Sequence, residues 1–145
     1  MTKDQVKAVL DRVLTWPSKR QEDAARVLAE MEQQDVSPYQ LTDEQVAEVK
    51  NRLADPSPKF LPLEEVRARF ALDAKDRPRS ADAVVERILE SAERFGLFPQ
   101  MGHVGKVAGT HEWVVPGLPY IIVYIIKVDD DVVDVVAVFH GAQDR

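Results

Sequence analysis

The stretch Tyr120-Ile-Ile-Val-Tyr-Ile-Ile126 decides the fold class, because its side chains are apolar at successive positions. Isoleucine, valine and aromatic residues are typical of strands, and residues 112–115 and 132–139 share this composition. Short connections at 116–119 and 129–131 join the three segments, so we expect antiparallel neighbours. A strand that is apolar on both faces is expected to lie centrally in its sheet, covered by helices on both sides or by a partner chain.

Helical periodicity precedes these strands along the chain. Apolar residues spaced three and four apart predict an amphipathic helix that begins at Ser80 and ends at Gly96. Four earlier helices are predicted to begin at Thr2, at Ser18, at Thr42 and at Pro62 or Leu63. Thr2 and Thr42 each have a glutamine three residues later, which is the capping-box pattern. The predicted fold class is therefore α+β: N-terminal helices, then a helix and a three-stranded antiparallel sheet.

The polar segment 73–79 predicts a boundary, with a helical part at 1–76 and an α+β part at 77–145. The first part has 12 Lys and Arg against 15 Asp and Glu, and the second has 7 against 10, so each carries a net charge of −3. Proteins that bind nucleic acid through its phosphates usually present a basic face. The charge balance therefore argues against a nucleic-acid partner.

Composition narrows the class of protein further. The chain has no cysteine, which excludes disulfides and thiolate sites. No apolar run reaches the roughly 20 residues that a membrane-spanning helix needs. The N-terminus is amphipathic and lacks the pattern of a signal peptide. We therefore expect a cytoplasmic protein with no membrane partner.

Metal and cofactor sites are not predicted. His103, His111, Glu112 and His140 lie in one region of the sequence, but no histidine pair has a recognisable ligand spacing. The acidic run 129–131 is expected to be a solvated turn, since a calcium loop spreads its ligands over twelve residues. Phosphate-loop and dinucleotide-binding motifs are absent, so no cofactor is expected.

A longer pattern surrounds the strands. Residues 98–112 read FPQMGHVGKVAGTHE, residues 113–124 read WVVPGLPYIIVY, and residues 138–144 read VFHGAQD. This order resembles the C-terminal part of the RelE/ParE toxin superfamily, over about residues 79–144. The resemblance implies that the Ser80 helix is the family's second helix. No strand precedes it within reach, so the toxin-like part is expected to be truncated at its N-terminus.

The front of the chain resembles small helical antitoxins encoded beside such toxins. The resemblance is carried by WPSKRQE at 16–22 and by LADPSPKF at 53–60, which is followed by LEEVRARF at 63–70. In this interpretation the helix at 63–72 takes the place of the toxin's first helix. The chain is then a toxin–antitoxin fusion, expected to form a homodimer, a higher oligomer or a domain-swapped dimer.

The resemblance also places candidate site residues. They are Lys106, His111, Tyr124, His140 and Gln143. Where the family has arginine, this chain has His103, Lys106, His111 and Ile125. Histidine is mostly neutral at pH 7 and lysine lacks arginine's two-pronged fork, so the site is expected to be vestigial and ribonuclease activity is doubtful. Each residue also has an ordinary role open to it: Lys106 in a solvated loop, Tyr124 in packing, and His140 with Gln143 capping a strand.

Three functions follow from these observations. The first is a self-neutralised, non-toxic fusion, in which the helical part covers the toxin-like part in cis or across a dimer. The second is an active toxin, either an mRNA-cleaving enzyme or a gyrase inhibitor, which needs an exposed basic site. The third is a regulator that binds its own operator DNA, for which the acidic front part offers no obvious basic element.

Overall fold

The computed structural model describes residues 1–73 and 79–143, with backbone alone for 69–73, 79–81, 142 and 143. The helices are α1 (Lys3–Val13), α2 (Ser18–Asp35), α3 (Asp43–Ala54), α4 (Leu63–Asp73) and α5 (Arg79–Leu97). The strands are β1 (Tyr39–Gln40), β2 (His103–Val104), β3 (His111–Val114), β4 (Tyr120–Lys127), β5 (Val132–His140) and β6 (Ala142–Gln143). The predicted α+β class is confirmed.

Two compact units make up the chain. The first is Met1–Val36, which holds α1 and α2, and the second runs from Ser37 to the C-terminus. The second unit thus includes β1, α3 and α4 together with the sheet. The boundary predicted between residues 76 and 77 lies outside the described residues and stays a prediction. No described helix is both long enough and apolar enough to cross a membrane.

Local sequence signals explain where the first helices begin. The Thr2 hydroxyl accepts the Gln5 N–H at 3.2 Å, and the Gln5 side chain accepts the Thr2 N–H at 2.7 Å. Thr42 and Gln45 repeat this pair of bonds at α3, so both predicted capping boxes are confirmed. The predicted end of α5 at Gly96 is wrong, because the Phe98 N–H still bonds to the Arg94 carbonyl at 2.8 Å and carries the helix through Leu97.

The main sheet has four antiparallel strands in the order β2-β3-β4-β5. Three were predicted; β2 is an additional edge strand whose two residues are too few to show alternation. A separate two-residue pairing joins Tyr39 and Gln40 of β1 to Gln143 and Ala142 of β6. On β5, Val135 pairs with Tyr124 and Ala137 pairs with Val123, which leaves Val136 without a partner. Val136 is therefore a β-bulge that bends the edge strand.

Strand β4 has a helix over each of its faces. One face packs with Phe95 of α5, in a cluster that includes Trp113, Ile122 and Tyr124. The opposite face packs with Val49 of α3, in a cluster that includes Leu41, Ile121 and Val123. The prediction that the apolar stretch 120–126 lies centrally under helices on both sides is confirmed. Burial of each large apolar side chain contributes about 1.5–3 kcal/mol, so both helices help to hold the sheet.

Candidate functional site

Glu112 is the last residue of the FPQMGHVGKVAGTHE motif and its most deeply buried charged residue, at 3% exposure. Strand pairing places His103 opposite it, with Nε2 3.6 Å from Oε1 of Glu112. The other carboxylate oxygen accepts the Lys106 backbone N–H at 2.7 Å. Burial by itself raises the pKa of Glu112, but the interaction with the His103 side chain, the hydrogen bond from the Lys106 N–H and the attraction of the Lys106 ammonium outweigh it and bring the pKa below its ordinary value of 4.5.

Two of the three glycines in this motif, Gly102 and Gly105, allow the loop to close tightly on the strands. A Cβ on Gly102 would lie 2.6 Å from the Glu112 carbonyl and 2.7 Å from the Tyr124 hydroxyl. A Cβ on Gly105 would overlap the Thr110 hydroxyl and lie 3.0 Å from the Glu112 carboxylate. The two contacts at Gly102 and the Thr110 contact at Gly105 are shorter than a side chain tolerates, so the MG-x-x-G part of the motif is explained by packing.

Tyr124 anchors the loop before β2. Its hydroxyl donates to the Pro99 carbonyl at 2.8 Å and accepts the Gly102 N–H at 3.0 Å. The ring is fully buried and stacks on Phe95, with centroids 4.2 Å apart, and on His111, with centroids 5.5 Å apart. Burial raises the pKa of the phenol, against the opposing effect of the Gly102 N–H. A neutral hydroxyl with one bond donated and one accepted serves to position the loop.

The other sequence-predicted residues are contacted by the segment that runs from β1 into α3. The Lys106 ammonium donates to the Leu41 carbonyl at 3.0 Å. The His140 carbonyl accepts from the Gln45 side chain at 3.1 Å, while the exposed His140 ring makes an edge contact with Tyr120. Gln143 lies in β6, where its backbone pairs with Tyr39.

These five residues do not converge on one pocket. His111 lies directly opposite Tyr124 in the sheet, close to the loop that holds Lys106. His140 lies opposite Tyr120 instead, four residues away along β4, which is about 13 Å in a strand. Among the described residues, no group of three His, Cys, Asp or Glu side chains is arranged to hold a metal ion.

Sequence reasoning missed the role of α3. The Arg52 guanidinium donates to the carbonyl of the bulged Val136 at 2.8 Å and pairs with Glu48 at 2.9 Å. Gln45 was interpreted only as a cap, yet its side chain also reaches His140. The spacing of Arg52 from Val49 places both near one helix face, but nothing in the sequence indicates which strand that face meets.

An apolar groove of about 510 Å³ lies between α4, α5 and β5. Phe60 and Leu61, both partly exposed, line one side, and Ile88 and Val135 belong to its floor. Arg67 of α4 bridges to α5 through 2.7 Å ion pairs with Glu86 and Glu93. These exposed pairs orient the two helices more than they stabilise them.

Comparison with known proteins supports the motif resemblance. The family model described as the ParE toxin of type II toxin–antitoxin systems, parDE, matches residues 63–145. This match begins before the motif-based resemblance and includes α4, the helix that was compared with antitoxins. A protein of Sinorhizobium fredii (strain NBRC 101917 / NGR234) named "Putative toxin Y4kP" is 36% identical over 69 residues, which cover 48% of this chain and 69% of that protein. No solved structure matches the chain.

Proposed function

Since the chain belongs to the ParE toxin family of type II toxin–antitoxin systems, we propose that it is a self-neutralised, non-toxic member. In this proposal, helical residues from the N-terminal part cover the toxin-like sheet. The covering segment runs from Tyr39 to Ala54, and it acts in cis or across a dimer. Any ribonuclease or gyrase-directed activity of the ancestral toxin has been lost.

The observation that carries the proposal is the position of residues 39–52. They contact three of the five candidate site residues: Leu41 accepts a bond from Lys106, Gln45 donates to the His140 carbonyl, and Tyr39 pairs with Gln143. Arg52 adds a bond to β5. A ligand of the Lys106 ammonium would have to displace its bond to this segment, whereas the contacts at His140 and Gln143 are made with their backbone.

Burial makes this displacement costly. Leu41 and Val49 are 3% and 0% exposed in the cluster on one face of β4. Truncation of a buried leucine to alanine typically costs about 2–5 kcal/mol, so separation of the segment from the sheet is expected to cost at least as much. Because the segment belongs to the same chain, its effective concentration at the sheet is in the range of about millimolar or above.

Electrostatics support the loss of activity. The family arginines are replaced at His103, Lys106 and His111, and the remaining lysine ammonium is bonded to a backbone carbonyl. Glu112 keeps a negative charge beside these positions, since its pKa is lowered. A negatively charged Glu112 beside a single lysine opposes the binding of the phosphate backbone of a nucleic acid.

A growth assay tests the loss of toxicity. Induced expression of the full chain in bacteria is expected to leave growth unchanged. Growth arrest that is relieved by Lys106→Ala with His140→Ala would support an active toxin instead. Tight, sequence-dependent binding to upstream DNA in a gel shift at moderate salt would support an operator-binding regulator.

A matched pair of variants tests the covering role of α3. Val49→Glu places a charge at a fully buried position, whereas Leu53→Glu makes the same change on the same helix at a position 38% exposed. We expect Val49→Glu to increase hydrogen exchange in β4 and to lower the soluble fraction. Leu53→Glu is expected to leave both close to wild type. Equal, small effects of the two variants would contradict the covering role.

A further inference from the structure

The groove between α4, α5 and β5 combines buried walls with an open rim. Leu89 and Ile122 line it and are 6% and 0% exposed. Phe60 and Leu61, from the connector between α3 and α4, line it at 41% and 44% exposure. Small-molecule sites are typically cavities of about 300–1,000 Å³ with mostly apolar walls and a few polar groups. At 510 Å³ the groove has the size of such a site.

The volume suits a single extended hydrocarbon chain better than a segment of another protein. One turn of an α-helix, about 10 Å wide and 5.4 Å long, occupies about 420 Å³, so little more than one turn would fit. A water-sized group takes about 30 Å³, which leaves room for roughly seventeen such groups and therefore for a chain of about twelve carbons with a small head group. Apolar walls favour such a chain because its methylene groups leave water.

Positive charge is in excess at the rim beside Phe60. Among the described residues that line the groove, only Lys59 and Asp134 are charged, and Lys59 makes no hydrogen bond or ion pair with another described residue. The carboxylate of Asp134, a residue 9% exposed, is balanced by the Lys127 ammonium at 2.9 Å, which also lies 5.4 Å from the centre of the Phe60 ring. Asp130 acts on Lys127 through its charge without a hydrogen bond, and salt screens it in its exposed turn. Lys59 therefore leaves one uncompensated positive charge, which complements an anionic head group.

We propose that this groove binds a single-chain aliphatic carboxylate of about twelve carbons. Its chain lies along Leu89 and Ile122, and its carboxylate lies at Lys59. The site is separate from the proposed cover, since α3 packs with Ile121 and Val123 on the opposite face of β4. The inference therefore goes beyond the proposed self-neutralisation and does not depend on it.

Titration calorimetry of the full-length protein with dodecanoate, below its micelle-forming concentration, tests this proposal. We expect saturable binding of one molecule per chain. Dodecylammonium has the same chain length and the opposite charge, and we expect it to bind at least about threefold more weakly, since an exposed ion pair changes affinity only a few-fold. Absence of saturable dodecanoate binding, or equal binding of the two compounds, would overturn the proposal.

Two matched pairs of variants locate the site. Lys59→Gln is expected to weaken dodecanoate binding about two- to fivefold and not to weaken dodecylammonium binding. Lys50→Gln, the same change at an exposed position on α3, should leave both affinities unchanged. Ala92→Trp fills the groove and is expected to abolish dodecanoate binding. Ala47→Trp, at an exposed position on α3, should bind dodecanoate as the wild type does.

Protection of the β4 amides from hydrogen exchange checks that each variant is folded. Unchanged dodecanoate binding in folded Lys59→Gln or folded Ala92→Trp would refute the assignment of the site, and so would equal weakening by the two controls. If Ala92→Trp does not fold, Lys59→Gln decides the question, because its side chain is exposed. The growth assay contains no added carboxylate, so the two proposals fail separately.

Discussion

The buried carboxylate of Glu112 shows how one residue holds the sequence motif together. It joins β3 to the loop at Lys106 and to His103 on β2. A carboxylate removed from water is costly unless hydrogen-bonded, and the two contacts supply what water would have given. The Lys106 N–H thus favours the charged form of Glu112, and the carboxylate in turn holds the loop at Lys106 against β3.

Acid should weaken the protein partly through Glu112. Its pKa is lower in the folded chain than its ordinary value of 4.5, so its stabilising effect is complete above that value and is lost as the pH falls through the folded pKa. Glu112→Gln is expected to narrow the difference in urea midpoint between pH 7 and pH 4. Glu90→Gln, an exposed change on α5, serves as control and should leave the wild-type difference intact. An unchanged difference in Glu112→Gln would refute this role.

Tyr124 allows a prediction on stability at neutral pH. Tyr124→Phe keeps the stacked ring but removes the hydroxyl from the Gly102 N–H and the Pro99 carbonyl. Leaving such groups unpaired costs about 1–3 kcal/mol, which urea unfolding would measure. Tyr120→Phe keeps the edge contact with His140 and should cost less. If Tyr120→Phe were the more destabilising change, the anchoring role of Tyr124 would be wrong.

At the scale of elements, α3 combines two tasks. Its first turn is capped by Thr42 and Gln45, and its last turn places Arg52 on the bulge of β5. The bulge interrupts an edge strand that lacks a second neighbour in the described sheet. Bulges and charged side chains are the usual means of keeping such edges from pairing with other chains. We therefore interpret Arg52 as a residue that blocks pairing at this edge and also links α3 to β5.

Arg52→Ala should destabilise the second unit and promote aggregation. The Val136 carbonyl would lose its partner at a residue only 8% exposed, at a cost of about 1–3 kcal/mol. Lys50→Ala, an exposed change on the same helix, is expected to have little effect. Chemical unfolding and light scattering at rising concentration would measure both variants. Arg52→Ala with wild-type stability and solubility would contradict this interpretation.

At the scale of the whole molecule, one face of the sheet is covered by residues that precede the family match. One of its faces is packed by Leu41, Val46 and Val49, all from before residue 63. The family match at 63–145 therefore does not include every residue that the described sheet needs for burial. This explains why β4 is apolar on both faces.

Expression of fragments tests that dependence. The segment 77–145 alone would expose Val107, Val114, Ile121 and Val123, so we expect it to be insoluble and inert in a growth assay. The segment 37–145 restores the cover and is expected to be soluble. The soluble fraction after induction is the measurement. A soluble, monomeric 77–145 fragment would show that the cover is dispensable.

The sequence alone determined the local features of this protein. Capping boxes, helical stripes and the central strand follow from sterics and burial within a few residues. The order of the stretches at 98–112, 113–124 and 138–144 indicated the RelE/ParE superfamily. The short strands β1, β2 and β6 gave no such signal, because two residues cannot display a period.

Only the tertiary structure decided which distant segments meet. Tyr39 pairs with Gln143, Gln45 reaches His140, and Arg52 bonds to the bulge at Val136. These contacts join residues between 84 and 104 positions apart. Which residues meet is decided by the packing of the chain on the sheet, not by their local sequence. An amphipathic pattern states that a face must be buried, but it does not state against what. For that reason the sequence predicts α3 as a helix, but it does not predict that this helix packs against the sheet and bonds to β5.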